Sequence, residues 1–98
     1  MRLSFHIRVQ QEVNEAVAWY EEQSEGLGDD FFDQLQLTLA RIAEHPERFA
    51  FWLGSKIMRR AKLNRFPYDV IFEVRPDRVR VTCVRHEKRH PNYGSGRS

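Results

Sequence analysis

Two helical stripes of apolar residues stand back to back in the first half of the chain, and they constrain its fold more than any other feature. Val13, Ala16, Val17 and Tyr20 recur at i, i+3, i+4 and i+7, and Phe31, Phe32, Leu35, Leu39, Ile42 and Ala43 form a second stripe of the same period. Between them lies Ser24-Glu25-Gly26-Leu27-Gly28, where two closely spaced glycines disfavour helix and permit a tight reversal. Asp29, Asp30 and Asp33 fall at the start of the second helix, where the positive end of the helix dipole favours acid. His45-Pro46 marks its end. The result is a helical hairpin with one apolar face per helix, and that face needs a partner. Leu37 lies opposite the stripe and is left unhoused.

The partner is a small sheet. Leu3 to Val9 alternates apolar and polar residues, which predicts a strand with Leu3, Phe5, Ile7 and Val9 on one face. Glu12, Glu15, Glu21 and Glu22 then fall on the water side of the first helix. Phe49 to Ser55 is an apolar connection without a clean period. Three β-like stretches follow, Ile57–Leu63, Tyr68–Val74 and Val79–Val84, separated by Asn64-Arg65-Phe66-Pro67 and by a Pro76-Asp77 turn. The order β-α-α-β-β-β predicts a two-layer α+β domain, with the hairpin packed on one face of a small, mostly antiparallel sheet. A chain of 98 residues supports one such domain, drawn here as residues 1–93 with 94–98 as a flexible tail. The first strand must join an edge, and parity does not say which.

Parity also assigns faces. Tyr68, Val70, Phe72 and Val74 pair with Val79, Val81 and Cys83 on the helix side. The open side then carries Arg60, Lys62, Asp69, Ile71, Glu73, Arg78, Arg80, Thr82, Val84 and His86. Arg59 falls on the apolar parity, which a bulge or an edge position would explain. Charge sharpens this division: residues 1–50 hold four basic and ten acidic side chains, whereas residues 51–98 hold twelve basic and four acidic. A basic open face is expected to meet a polyanion. The single cysteine, Cys83, excludes an intrachain disulfide and reads as a core filler. No apolar run is long enough to span a membrane and the N-terminus lacks the apolar core of a signal peptide, so a cytoplasmic protein without membrane contact is expected. His86 and His90, four apart beyond a strand, define no ligand face, so neither metal nor cofactor is expected.

Several short pieces, in order, resemble the RelE/ParE superfamily of type II toxin–antitoxin toxins. They are Ala18-Trp19-Tyr20-Glu21-Glu22, Gly26-Leu27-Gly28 before Phe31-Phe32, and Ile42-Ala43-Glu44-His45-Pro46. Arg59-Arg60-Ala61, Arg65-Phe66-Pro67-Tyr68 and His86-Glu87-Lys88-Arg89-His90-Pro91 complete the set. The Trp-Tyr-Glu-Glu and Phe-Pro-Tyr pieces look more like the ParE-type and plasmid-stabilisation branches. The resemblance implies a toxin that a cognate antitoxin wraps and neutralises, touching DNA only through the antitoxin complex. RelE-like members cut mRNA in the ribosome, and ParE-like members poison DNA gyrase.

Cleavage of RNA through its 2′-hydroxyl needs a proton acceptor, a proton donor and cations on the phosphorane charge. Arginine suits the last role because its planar fork binds phosphate bidentately and stays charged. The candidates for a metal-independent endoribonuclease are Arg60, with Arg65 and Arg89 behind it, for charge. His86 serves for proton transfer, with Glu73 or Glu87 as its carboxylate partner, and Tyr93 stacks or donates a proton. The resemblance adds that family nucleases draw on basic sheet residues and on His, Arg or Tyr near the C-terminus. Arg59, Lys62, Arg65 and Arg80 complete a face for RNA phosphates or for the antitoxin. Only Lys56, Lys62 and Lys88 are available as lysines, fewer than the best-known RelE-like nucleases carry. Against these roles stand plainer ones: a solvated basic strand face, a solvent histidine, and packing for Trp19 and Tyr20. Phe49, Phe51 and Trp52 either close the end of the core or belong to an antitoxin groove. Three functions follow: a ribosome-dependent mRNA endonuclease, a non-enzymatic gyrase poison, or a non-toxic module that keeps only antitoxin pairing.

Overall fold

The computed structural model describes residues 1–98. Its elements are β1 (Leu3–Phe5), α1 (Val9–Gln23), α2 (Leu27–Glu44), a 3-10 turn (Pro46–Arg48), β2 (Met58–Lys62), β3 (Tyr68–Val74) and β4 (Val79–His86). The sheet runs β1-β4-β3-β2, with β1 parallel to β4 and the other pairs antiparallel. This is the α+β arrangement expected from the sequence, and it places the first strand beside the last. No helix is long and apolar enough to cross a membrane.

The alternation from Leu3 to Val9 does not extend as one strand. The chain leaves β1 after Phe5, and the Val9 amide donates to the His6 carbonyl at 3.0 Å to start α1. Val9 therefore enters the core as the first residue of a helix, while Ile7 is 86% exposed.

The hairpin is closed by close contact of its helices. A Cβ at Gly28 would stand 2.7 Å from the Val17 carbonyl oxygen, so only glycine lets the start of α2 approach α1 this nearly. Glu21, assigned to water by its sequence position, turns back instead. Its carboxylate accepts the amides of Gly26 at 2.9 Å and Gly28 at 3.0 Å, satisfying donors that the α2 N-terminus leaves unpaired. Val13, Ala16 and Tyr20 of α1 and Phe31, Leu35 and Ile42 of α2 pack on Val70, Phe72, Val79, Val81 and Val84. Tyr20, Phe31, Phe66 and Tyr68 add a set of ring contacts at centroid distances of 4.9–6.1 Å. Phe32, placed on the apolar stripe by period alone, is 42% exposed.

A bulge in β4 changes which residues share a face. Ile71 pairs with Cys83 while Phe72 pairs with Val81, so Thr82 is an extra residue in β4. Its hydroxyl donates to the Ile71 carbonyl at 3.3 Å. Beyond Thr82 the alternation inverts: Val84 lies beside Val70 in the core, His86 beside Tyr68, and Cys83 moves to the second face beside Ile71. Parity alone had assigned Val84 and His86 to the open side and Cys83 to the helix side. Ile71 does stay on the second face, but it is buried there.

Arg59 owes its apolar parity to an edge. Residues 50–52 run beside β2, linked by a Phe51–Arg59 bridge and by the Arg60 amide donating to the Ala50 carbonyl at 3.1 Å. There Arg59 Nη1 donates to the Phe49 carbonyl at 2.7 Å, and the guanidinium lies 4.1 Å from the Phe51 ring centroid. The second face of the sheet is partly covered. Arg85 is buried on it beneath Trp52, with its guanidinium 4.9 Å from the Trp52 ring centroid. Residues 91–97 lie across Cys83, and a Cβ at Gly94 would come within 2.7 Å of the Cys83 Sγ.

Candidate functional site

The chemistry-bearing side chains meet between α1 and the end of β4. A pocket of about 180 Å3 is lined there by Glu12, Glu15, Ala16 and Trp19 of α1, by Tyr68 of β3, by Val84, Arg85 and His86 of β4, and by Arg89 and Tyr93 beyond it. Three of the four catalytic candidates, His86, Arg89 and Tyr93, share this one pocket. The bulge at Thr82 is what brings His86 to it, because an unbroken strand would have pointed that ring to the other face.

Each side chain is held by a nameable contact. The His86 ring stands edge-on to Tyr68 at a centroid distance of 5.2 Å. Its Nδ1 accepts the Lys88 amide at 3.0 Å, so the neutral ring carries its proton on Nε2. The Tyr93 hydroxyl donates to Glu12 Oε2 at 2.6 Å, and the Arg89 guanidinium lies 4.5 Å from the Tyr93 ring centroid. Burial raises the pKa of Tyr68, and burial together with the bond to Glu12 raises that of Tyr93. Both phenols therefore keep their protons near neutral pH. Trp19 is 55% exposed at the rim and offers a flat apolar surface to whatever enters.

Glu12 is the residue that sequence reasoning missed. It is buried, and its carboxylate accepts the Val84 amide at 3.0 Å, the Tyr93 hydroxyl and Arg97 Nη1 at 2.8 Å. The signal was present: Glu12 precedes Ala16 and Tyr20 by one and two helical turns and lies on the row they bury. Arg97 also donates to the Thr82 carbonyl at 3.0 Å. Burial opposes the charge on Arg97, yet the Glu12 carboxylate and the Tyr93 hydroxyl hold its pKa above the ordinary value. Cys83 Sγ lies 3.7 Å from Glu12, and burial, reinforced by that carboxylate, pushes its thiol up to about 12.

Arg60, the fourth candidate, stands apart. It lies on β2 on the second face of the sheet, half exposed, with Nη1 4.0 Å from Asp69 Oδ2. Asp69 is itself buried and its Oδ1 has no hydrogen-bond partner. Burial raises its pKa against the pull of Arg60 and Arg85. The remaining basic candidates are dispersed. Lys62 pairs with Glu87 at 3.3 Å, Arg65 with Asp30 at 3.7 Å, and Arg59 caps carbonyls at the β2 edge. Arg80 lies on the second face near the β1 edge, where with Arg97 it adds to burial in lowering the pKa of His6. Arg60, Arg80 and His86 therefore do not form the single basic face that parity suggested. No three His, Cys, Asp or Glu side chains gather so as to hold a metal ion.

A second concavity, of about 450 Å3, runs between β1 and the hairpin over Phe5, Ile7, Val13, Phe32, Leu35 and Leu39. Phe5 and Phe32 are each more than two-fifths exposed within it, and Ile7 stands almost free.

No family profile matches the sequence, and no curated protein matches it as a relative. In architecture the chain is similar to a chain of the solved structure described as the chromosomal ParDE TA system from P. aeruginosa. That likeness has a TM-score of 0.76 at 11% identity and covers 88% of this chain and 95% of that chain. At such identity it is a likeness of fold.

Proposed function

We propose that this protein is the toxin of a toxin–antitoxin module, neutralised by a cognate antitoxin and arresting growth when freed from it. The observation that carries the reading is the fold likeness to a ParDE chain across nearly nine-tenths of the sequence. The apolar groove over Phe5, Ile7 and Phe32 supports it, being a surface of the kind an amphipathic antitoxin segment covers. Expression without the antitoxin is expected to stop growth, and co-expression of the antitoxin to restore it. Absence of arrest would leave only a non-toxic binding module.

The favoured mode of action is binding to DNA gyrase, in the ParE manner, without catalysis. Phosphoryl chemistry on RNA needs unopposed cationic charge at the reacting phosphate. Here Arg60 is drawn toward Asp69 on the other face, and the pocket that gathers His86 and Arg89 also carries Glu12 and Glu15. The second reading, a metal-independent mRNA endonuclease, is supported by the convergence of His86, Arg89 and Tyr93 on that pocket. In it His86 moves the proton, Arg89 meets the phosphate and Tyr93 stacks or donates. His86→Ala separates the two: the nuclease reading requires loss of toxicity in a folded protein, whereas the gyrase reading does not depend on an imidazole.

A further inference from the structure

Beyond His86 the chain is attached to the rest of the fold in an unusual way. Every backbone hydrogen bond donated within residues 89–98 is local, from Arg89 to His86, Tyr93 to His90, Ser95 to Asn92 and Arg97 to Gly94. Side chains alone tie the segment down. Arg85 Nη2 donates to the carbonyls of Arg89 at 2.7 Å and His90 at 3.1 Å. Glu12 receives Tyr93 and Arg97, and Arg97 reaches the Thr82 carbonyl. Beneath the segment a cavity of about 390 Å3 is floored by Met58, Ile71 and Cys83. A segment with no ladder hydrogen bonds, held only through the side chains of Glu12, Arg80 and Arg85 and by Arg97 on the Thr82 carbonyl, belongs to the low-stability end of a fold, where local opening precedes global unfolding.

We propose that residues 91–97 form a latch over the second face of the sheet, that it opens while the rest of the domain stays folded, and that Glu12 is its catch. Opening withdraws Tyr93 from the pocket beside α1 and uncovers Cys83, so the latch position decides both whether that pocket exists and whether the apolar floor meets solvent. Loss of either partner of the Glu12–Arg97 pair releases the same segment, because each leaves the other's charge unpaired in a nearly closed site. The inference concerns the chain's own mechanics and stands whether the target is gyrase, RNA or neither.

Cys83 is the sole cysteine and is 1% exposed under Gly94, which makes its modification by an uncharged aromatic disulfide a direct reading of the open state. Two variants oppose each other electrostatically and agree mechanically. The Glu12 carboxylate raises the thiol pKa and Arg97 lowers it. Without opening, Glu12→Gln would therefore speed modification and Arg97→Gln would slow it. With opening, both speed it, by roughly tenfold or more for the loss of a charge-assisted buried bond. A rise in Glu12→Gln paired with a fall in Arg97→Gln overturns the latch. The wild-type protein supplies a second, independent reading. Below the unfolding transition the modification rate should depend only weakly on urea, because little surface is exposed by opening seven residues. A urea dependence as steep as that of global unfolding overturns the proposal even if neither variant folds.

Discussion

The Glu12 carboxylate on α1 binds Arg97 Nη1 at 2.8 Å across 85 residues of sequence, and both side chains are largely withdrawn from water. This contact fastens the last residues of the sequence to its first helix. Replacing Glu12 by Ala leaves the Val84 amide, the Tyr93 hydroxyl and the Arg97 guanidinium without their shared acceptor. The expected loss is about 2–4 kcal/mol, measured by urea unfolding. Arg97→Ala should cost less, because the exposed segment can shift and let water reach Glu12. An equal or larger loss for Arg97→Ala would show that the site is rigid.

Phe31 and Phe32 are neighbours with opposite fates. Phe31 is wholly buried among Tyr20, Phe66 and Tyr68, whereas Phe32 borders the apolar groove. Phe31→Ala should cost about 3–5 kcal/mol by denaturant unfolding. Phe32→Ala should change stability by less than about 1 kcal/mol, since its ring is already partly wet. Its effect should appear instead as weaker capture of the proposed antitoxin in a binding titration.

Much of this division was legible in the pattern of residues, and the failures have physical causes. The stripes of α1 and α2 were readable because helical period and burial agree at Val13, Ala16, Phe31, Leu35 and Ile42. The strand through Val9 was misleading because a β-exit and a helix start can share one alternating stretch. His86 and Val84 changed faces because one inserted residue, Thr82, inverts everything after it, and no composition rule marks a bulge. Glu12 and Glu21 were assigned to water by residue type, although each lies where orphaned amides and hydroxyls needed an acceptor. Candidate site residues near the end of the chain were chosen by residue type alone. Their grouping depended on packing between α1 and residues 86–97, which local pattern does not encode.

Gly28→Ala should destabilise the hairpin. The added methyl would stand 2.7 Å from the Val17 carbonyl oxygen, and backbone cannot yield as a flexible side chain can. A loss of about 1–3 kcal/mol is expected in thermal or urea unfolding. Gly54→Ala offers a contrast, since a Cβ there meets no neighbour and only its positive φ of 72° is strained.

Asp69 gives the protein a defined pH response. Its folded pKa is raised above the ordinary carboxyl value of 3.8, first by burial, so the folded state binds this proton more tightly than the unfolded chain does. Its contribution to stability is therefore present at pH below 3.8 and is lost as pH rises through the raised value. Asp69→Asn should raise the urea midpoint at pH 7, and that gain should shrink toward zero in acid. A variant less stable than wild type at pH 7 would mean that the pull of Arg60 and Arg85 outweighs desolvation.

The proposed mode of action, arrest of growth through DNA gyrase, has a direct test. The most direct measurement incubates the purified protein alone with DNA gyrase, ATP and relaxed plasmid, and follows supercoiling and trapped double-strand breaks on a gel. The expected result is loss of supercoiling with accumulation of linear DNA, retained by His86→Ala and reversed by the proposed antitoxin. Unimpaired supercoiling, together with new mRNA 5′ ends inside coding regions on induction in cells, would contradict it.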